Sequence, residues 1–195
     1  MTARRAAVAL LAAGVLAPAA AAQVIPTYRL DPKTDGRGAL DIVRVAMARQ
    51  TDGRLRGEVT MEKPWTTADL RTAAGPSGSI CLTLYTVREP GADPADWLVC
   101  ANPQKEGDEL RGRVLRDRAN GLPRQVAPAT LTRPTARTIY LRFAQTAIGR
   151  PTSVRFAAEA VTRGRGCPRP LGCRDTAPDA PATGNLTLHS TAPSG

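Results

Sequence analysis

Short runs in which apolar and polar residues alternate are the feature that most restricts the fold of this chain. Ile139, Leu141 and Phe143, for example, alternate with polar or half-polar neighbours, and residues 152–161 repeat the pattern. A period of two residues is typical of a β-strand with one buried face. Only residues 67–73 favour a helix, and a short one. About eight such strands separated by turn signals predict an all-β fold, an antiparallel, jelly-roll-like β-sandwich with at most one short helix.

The first predicted hairpin turns at Gly53. A turn of two residues would place Val45 opposite a polar threonine. A turn of three residues that ends in a left-handed Gly53 pairs Val45 with Val59 and Val43 with Met61. The longer turn keeps apolar side chains on one face of the sheet, so it is the predicted one.

The second predicted hairpin is centred on Asn120-Gly121, which is the strongest short signal for a two-residue turn. Its strands are residues 109–118 and 122–133. This turn predicts three apolar pairs on one face: Leu110 with Leu131, Gly112 with Ala129, and Val114 with Ala127. Pro128 cannot donate a backbone hydrogen bond, which favours a sheet edge or a bulge at that position.

The chain has four cysteines, an even number that is typical of an oxidising compartment. Cys81 and Cys100 lie on two strands predicted to pair, residues 79–87 and 96–101, and Cys167 and Cys173 bracket a short loop. A four-cysteine zinc site is the alternative, but no Cys-x-x-Cys spacing is present. We therefore predict two disulfides, Cys81–Cys100 and Cys167–Cys173.

Residues 1–22 have the pattern of a cleavable secretory signal. Arg4 and Arg5 precede an apolar run that ends in small residues at Ala20-Ala21-Ala22. No later apolar run is long enough to span a bilayer. We expect an extracytoplasmic protein, in the periplasm or cell envelope, with one β-sandwich domain at residues 23–174. Residues 175–195, rich in proline, alanine and threonine, would follow as a mostly unstructured segment with one last strand around 186–189.

Few residues point to catalysis. The only histidine is His189, near the end of the chain, whereas a catalytic triad needs a rigidly oriented base. No nucleotide-binding loop or specific nucleic-acid signal is present. We expect a non-catalytic module without a cofactor. The alternative is a small secreted hydrolase with a carboxylate-based site, because two-carboxylate glycosidases need no histidine.

One acidic set has the chemistry of a calcium site. It consists of Asp31, Asp35, Asp41, Asp175 and Asp179. Carboxylate oxygens are the ligands that Ca²⁺ prefers, and the spacing matches no EF-hand loop. Most of these aspartates lie near proline or glycine, so turn formation is the alternative interpretation and the one that the pattern favours.

A resemblance covers most of the predicted mature chain. Tyr28-Arg29-Leu30-Asp31-Pro32 and Leu40-Asp41-Ile42 resemble the opening of exported bacterial β-sandwich domains of the DOMON and family 9 carbohydrate-binding type. Ile148-Gly149-Arg150-Pro151, Phe156-Ala157-Ala158 and Asp175-Thr176-Ala177-Pro178-Asp179 resemble their closing strands. The resemblance implies a sandwich that binds haem or sugars. The chain lacks a Met/His pair for haem, and Trp65 and Trp97 are interpreted as core residues rather than sugar platforms.

Arginine dominates the charge, which is +10 for the whole chain. Seven arginines fall opposite the apolar faces of their predicted strands: Arg44, Arg54, Arg56, Arg111, Arg113, Arg142 and Arg155. A guanidinium donates two hydrogen bonds at once to phosphate or carboxylate. These residues predict a surface for an anionic cell-envelope polymer or polysaccharide. The alternative is an ordinary solvated sheet face whose arginines reflect composition.

Overall fold

The computed structural model describes residues 26–32, 40–71, 76–89, 95–104, 108–162, 167, 172–179 and 181–188. This part of the chain forms eleven strands and two short 3₁₀ helices, Thr67–Leu70 and Gln145–Ile148. The first six strands are β1 (Thr27–Leu30), β2 (Ile42–Arg49), β3 (Arg54–Met61), β4 (Ser79–Tyr85), β5 (Trp97–Pro103) and β6 (Leu110–Arg116). The others are β7 (Arg124–Thr132), β8 (Thr138–Ala144), β9 (Ser153–Thr162), β10 (Cys173–Ala177) and β11 (Gly184–Thr187).

The strands make one antiparallel sheet that is nearly closed into a barrel. Its neighbour order is β1-β2-β3-β8-β7-β6-β5-β4-β9-β10, and β11 pairs with β9 beyond the end of β10. The two ends of this path meet through side chains. The backbone N–H of Ile42 on β2 donates to Asp175 Oδ2 on β10 at 2.6 Å, and Arg29 Nε on β1 donates to the Thr183 carbonyl at 3.3 Å. We call this junction the seam.

The all-β antiparallel class is confirmed, whereas the sandwich arrangement and the number of eight strands are not. Every strand that the sequence predicts is present, and β1 and β10 are added to them. Strand β10 crosses the domain boundary predicted at residue 174, because its inward residues Cys173, Asp175 and Ala177 are too small or polar to mark a strand. The last strand lies at Gly184–Thr187, two residues before its predicted place.

The first hairpin has the predicted three-residue turn. Val45 pairs with Val59, and Gly53 is left-handed with φ of 77°. The N–H of Gln50 donates to the Arg54 carbonyl at 2.8 Å and so closes the turn. The predicted Val43–Met61 pair is wrong, because the register shifts between Ile42 and Arg44 and Met61 pairs with Ile42 instead.

The second hairpin keeps the predicted register but not the tight turn. Gly112 pairs with Ala129 and Val114 with Ala127. A shift beyond Val114 brings Arg116 opposite Arg124, so the connection is longer than the two residues Asn120-Gly121. The predicted Leu110–Leu131 pair is also wrong, because β7 leaves β6 after Ala129 and Leu131 pairs with Leu141 of β8.

The barrel interior is filled by side chains from both walls. Its largest fully buried side chains include Phe143, Phe156, Leu55 and Leu82. Gly57 of β3 faces this core, and a Cβ there would overlap the side chain of Leu82 on β4. Glycine is therefore required at residue 57 because the walls touch, not because of its backbone angles.

Both predicted disulfides are present. Cys81 and Cys100 are directly opposite each other on β4 and β5, and Cys167 is joined to Cys173 at the start of β10. By restricting the unfolded chain, each contributes about 2–3 kcal/mol. The predicted signal at residues 1–22 and His189 lie outside the described residues. The helices of the described chain have four residues each, too few to cross a membrane.

Candidate functional site

The seven arginines predicted to bind an anion divide between two parts of the sheet. Arg54 and Arg56 on β3 and Arg142 on β8 are neighbours, since Arg56 pairs with Arg142. Arg111 and Arg113 lie on β6, two strands further along the sheet, which is about 10 Å. These five residues, which we call the basic face, alternate with buried residues such as Leu55, Leu141 and Val114 and therefore point outward. Arg44 and Arg155 lie apart from the basic face. Arg44 is on β2 opposite Thr60, at the end of β3 away from Arg54, and Arg155 is on β9.

Ion pairing separates the arginines further. Arg44 pairs with Glu58 at 2.9 Å, Arg155 with Glu89 at 3.1 Å, and Arg142 with Asp52 at 3.0 Å. Within the described chain, no carboxylate pairs with Arg54, Arg56, Arg111 or Arg113. The Arg56 guanidinium instead lies over the Tyr140 ring, 4.6 Å from its centroid. The positive charges of these four arginines are thus not neutralised by carboxylates of the described chain.

A cleft of about 460 Å³ lies at one end of the barrel, where the β2–β3 turn faces the connection between β8 and β9. Among the described residues, three arginines line it, Arg49, Arg54 and Arg150, with a single carboxylate, Asp52. The other polar side chains in its wall are Gln145, Thr146 and Thr152, and the apolar ones are Ala144, Pro151 and Leu188. We call this the arginine cleft. Its composition suits a small anion that also carries an apolar group.

The loop that carries Arg150 is fixed by hydrogen bonds. Gln145 Nε2 donates to the Pro151 carbonyl at 3.0 Å, and the Arg150 N–H donates to the Gln145 carbonyl at 3.2 Å. Gly149 and Arg150 are both left-handed, with φ of 82° and 52°. A left-handed arginine is uncommon and costs about 1 kcal/mol or more. The protein bears that cost at a residue whose side chain lines the cleft.

A second depression of about 320 Å³ shares Pro151 and Thr152 with the cleft. Trp97 lies in its wall with only 8% of its surface exposed, and its indole N–H donates to Thr86 Oγ1 at 3.2 Å. The Arg116 guanidinium lies over the ring at 4.5 Å. Trp97 is therefore a packed residue and not an open stacking platform.

Asp96 holds the strand ends beside this depression. Its Oδ2 accepts backbone N–H groups from Thr86, Val87 and Arg88 at 2.7–2.9 Å. Burial alone would raise the pKa of Asp96, but these three hydrogen bonds and the Arg88 charge together lower its pKa below the ordinary value. The carboxylate is thus committed to organising the backbone between β4 and β5.

The opposite end of the barrel uses arginine and tryptophan differently. Trp65, 2% exposed, donates its indole N–H to the Arg137 carbonyl at 3.2 Å. The Arg133 guanidinium lies 3.9 Å from its ring centroid and donates to the Trp65 and Ala136 carbonyls. Burial lowers the pKa of Arg133, and the Asp69 charge opposes this. Arg137 Nε donates to the Met61 carbonyl at 2.8 Å. The core interpretation of both tryptophans is confirmed.

The predicted acidic set is only partly brought together. Asp31 and Asp175 are buried at the seam, where Asp175 binds the Ile42 N–H and the Asp31 N–H donates to the Val43 carbonyl at 3.1 Å. Asp41 precedes Ile42, Asp179 is exposed in the turn between β10 and β11, and Asp35 lies outside the described residues. As far as the structure describes the chain, no three acidic, histidine or cysteine side chains are grouped as metal ligands.

Sequence reasoning missed two arginines of the cleft. Arg49 ends β2 and Arg150 belongs to the connection after β8, about 100 residues away, so no local pattern links them. The Gly149-Arg150-Pro151 turn was a signal for a shaped loop but not for a ligand. Comparison with known protein families, with curated proteins and with solved structures finds no match for this chain.

Proposed function

We propose that this protein is an exported, non-catalytic binding module whose basic face holds an anionic polymer of the cell envelope. The observation that carries the proposal is the set of outward arginines on β3 and β6 that lack a carboxylate partner in the described chain. A polymer with repeated phosphate, sulfate or carboxylate groups can contact several guanidiniums at once. Its affinity comes from many weak pairs along a rigid sheet.

The extracytoplasmic location is part of the same proposal. It is supported by the signal-like residues 1–22 and by the two disulfides, which persist in oxidising compartments. We also propose that the barrel is flattened, so that β3 and β4 pack as two layers of a sandwich. The close approach of Gly57 to Leu82 supports this arrangement.

The alternative, a carboxylate-based hydrolase, has less support. A shallow depression of about 260 Å³ contains Asp108 and Glu109. Both residues are exposed, and Glu109 accepts a hydrogen bond from the Gln104 side chain at 3.1 Å. The described groups around this carboxylate pair do not exclude water from it, whereas general acid catalysis by a carboxyl group depends on such exclusion.

Titration of the mature protein with dextran sulfate, beside neutral dextran, tests the proposed function. We expect binding at about 20 mM salt that weakens strongly at about 500 mM, because salt screens exposed charges. The Arg111→Ser/Arg113→Ser variant should bind at least about fivefold more weakly. A control with the same loss of charge is Lys63→Ser/Arg118→Ser, at two exposed positions outside the basic face without an ion pair in the described chain.

Two results would overturn the proposal. One is the absence of dextran sulfate binding at low salt. The other is equal weakening by the Arg111/Arg113 variant and by its control, which would show that net charge alone attracts the polymer.

A further inference from the structure

We propose that the arginine cleft is a separate site for a small organic phosphate or sulfate monoester, with Arg54 and Arg150 binding the oxyanion. This site goes beyond the basic face, because only Arg54 belongs to both. The cleft lies at the end of the barrel, and its volume of about 460 Å³ suits one compact group rather than a long polymer.

The charge of the cleft favours an anion. The described part of its wall contains three arginines and one aspartate. That aspartate, Asp52, is already engaged, since Oδ2 accepts from Arg142 Nη2 at 3.0 Å and Oδ1 accepts the Arg54 N–H at 3.0 Å. The guanidiniums of Arg54 and Arg150 make no ion pair or hydrogen bond within the described chain. Two forks that can each donate two hydrogen bonds therefore face one space.

The size and lining of the cleft favour a monoester over a bare ion. About 460 Å³ lies within the range of small-molecule sites, roughly 300–1,000 Å³, and exceeds what an inorganic oxyanion fills. Leu188, Ala144 and Pro151 supply an apolar wall for a ring-sized group. The adjoining depression, through the shared Pro151 and Thr152, gives that group room to extend.

The position of Arg150 is prepared before any ligand arrives. Gln145 binds the Arg150 N–H and the Pro151 carbonyl, and the left-handed backbone there is an uncommon conformation for arginine. A site whose backbone is already ordered loses less conformational entropy on binding. Glycine would adopt the same backbone without strain, so arginine at this position is best explained by its side chain.

Binding of phenyl phosphate to the mature protein tests the proposal, measured by calorimetry and by chemical shift changes. Phenyl sulfate, benzoate and phenol serve as comparison ligands with the same ring. We expect phenyl phosphate and phenyl sulfate to bind with a Kd of about 1 mM or below, and phenol not to bind. Arg150→Gly and Arg150→Asn, which both tolerate the left-handed backbone, should weaken binding by about tenfold or more.

A control variant and the basic-face variant make the result specific. Arg174→Gln removes one exposed charge elsewhere and should change the Kd less than about twofold. Arg111→Ser/Arg113→Ser should retain phenyl phosphate binding even where it loses dextran sulfate, so each proposal can fail without the other.

Three results would overturn the site. The first is no binding of phenyl phosphate or phenyl sulfate at about 10 mM. The second is equal weakening by Arg174→Gln and by the Arg150 variants while all remain folded. The third is stronger binding of benzoate or phenol than of phenyl phosphate, which would assign the cleft to a different ligand chemistry.

Discussion

The two ends of the barrel contain the same residue types in opposite roles. At the Trp65 end, Arg133 lies on the indole and donates to backbone carbonyls, and Arg137 donates to another. At the cleft end, Arg54 and Arg150 point into an open space without a protein partner in the described chain. The number of arginines alone therefore does not identify a binding site. Their hydrogen-bond partners do.

This difference gives each end its own expected response to mutation. Residues at the Trp65 end are held by packing and by backbone carbonyls, so their replacement should change stability and leave anion binding intact. The guanidiniums of Arg54 and Arg150 make no hydrogen bond or ion pair within the described chain, so their replacement should change binding and leave stability nearly intact. Asp96 is the exception at the cleft end. Because it accepts hydrogen bonds from three backbone N–H groups, its replacement should change stability and leave anion binding intact.

Trp65→Ala should have the largest effect. Removing this buried side chain leaves a cavity and removes both the indole hydrogen bond to the Arg137 carbonyl and the ring contact with Arg133, so the free energy of unfolding should fall by about 3–5 kcal/mol. Urea denaturation followed by circular dichroism measures it. Val87→Ala, at a side chain that is 84% exposed, is the control and should change stability by less than about 0.5 kcal/mol. A loss below about 1 kcal/mol for Trp65→Ala would contradict the role of this end.

Asp96→Asn should lower stability by about 2 kcal/mol at pH 7, because the charged acceptor of three backbone N–H groups is lost. The lowered pKa sets the pH dependence: the contribution of Asp96 is present above the unfolded pKa of about 3.9 and is lost as pH falls through the folded pKa. The two proteins should therefore converge in stability below that pH. Denaturation at several pH values measures this.

Asp179→Asn is the matched control for Asp96, since it removes the same charge at an exposed position. Its effect should stay within about 0.5 kcal/mol at every pH. A constant difference between wild type and Asp96→Asn down to acidic pH would show that the charge of Asp96 is unimportant.

Arg133→Met should lower stability by about 1 kcal/mol, because the cation–π contact with Trp65 and the hydrogen bonds to carbonyls are lost. Phenyl phosphate binding should not change. Arg124→Met, at an exposed position of β7, is the control. If Arg133→Met reduced ligand binding as much as Arg150→Gly does, the two ends would not be functionally distinct.

Arg150→Gly should have the smallest effect on stability, and it should stabilise the protein where the other substitutions destabilise it. Relief of the left-handed arginine should raise the free energy of unfolding by up to about 1 kcal/mol, whereas Arg54→Gly in an extended strand should lower it by about 0.5–1 kcal/mol. Thermal denaturation of both variants compares them. Clear destabilisation by Arg150→Gly would show that the arginine side chain supports the loop.

The sequence predicted what neighbouring residues determine. The Val45–Val59 register follows from turn length and the alternation of apolar residues, and the cysteine pairs follow from strand pairing. The prediction failed where a strand changes its partner: β7 pairs with β6 up to Ala129 and with β8 beyond it. Such a change does not alter the alternation of apolar and polar residues. The cleft could not be predicted, since Arg49 and Arg150 meet only because β3 pairs with the distant strand β8.

The seam also determines when the chain can complete its fold. The Ile42–Asp175 hydrogen bond joins residues 133 positions apart, and Thr60 on β3 meets Thr138 on β8 across 78 positions. Contacts between such distant residues form slowly, because a long loop must close before they are made. The β2–β3 hairpin can form early and add β1, but the free edge of β3 stays unpaired until β8 binds to it. A chain truncated before residue 175 would therefore retain its N-terminal strands without a closed sheet.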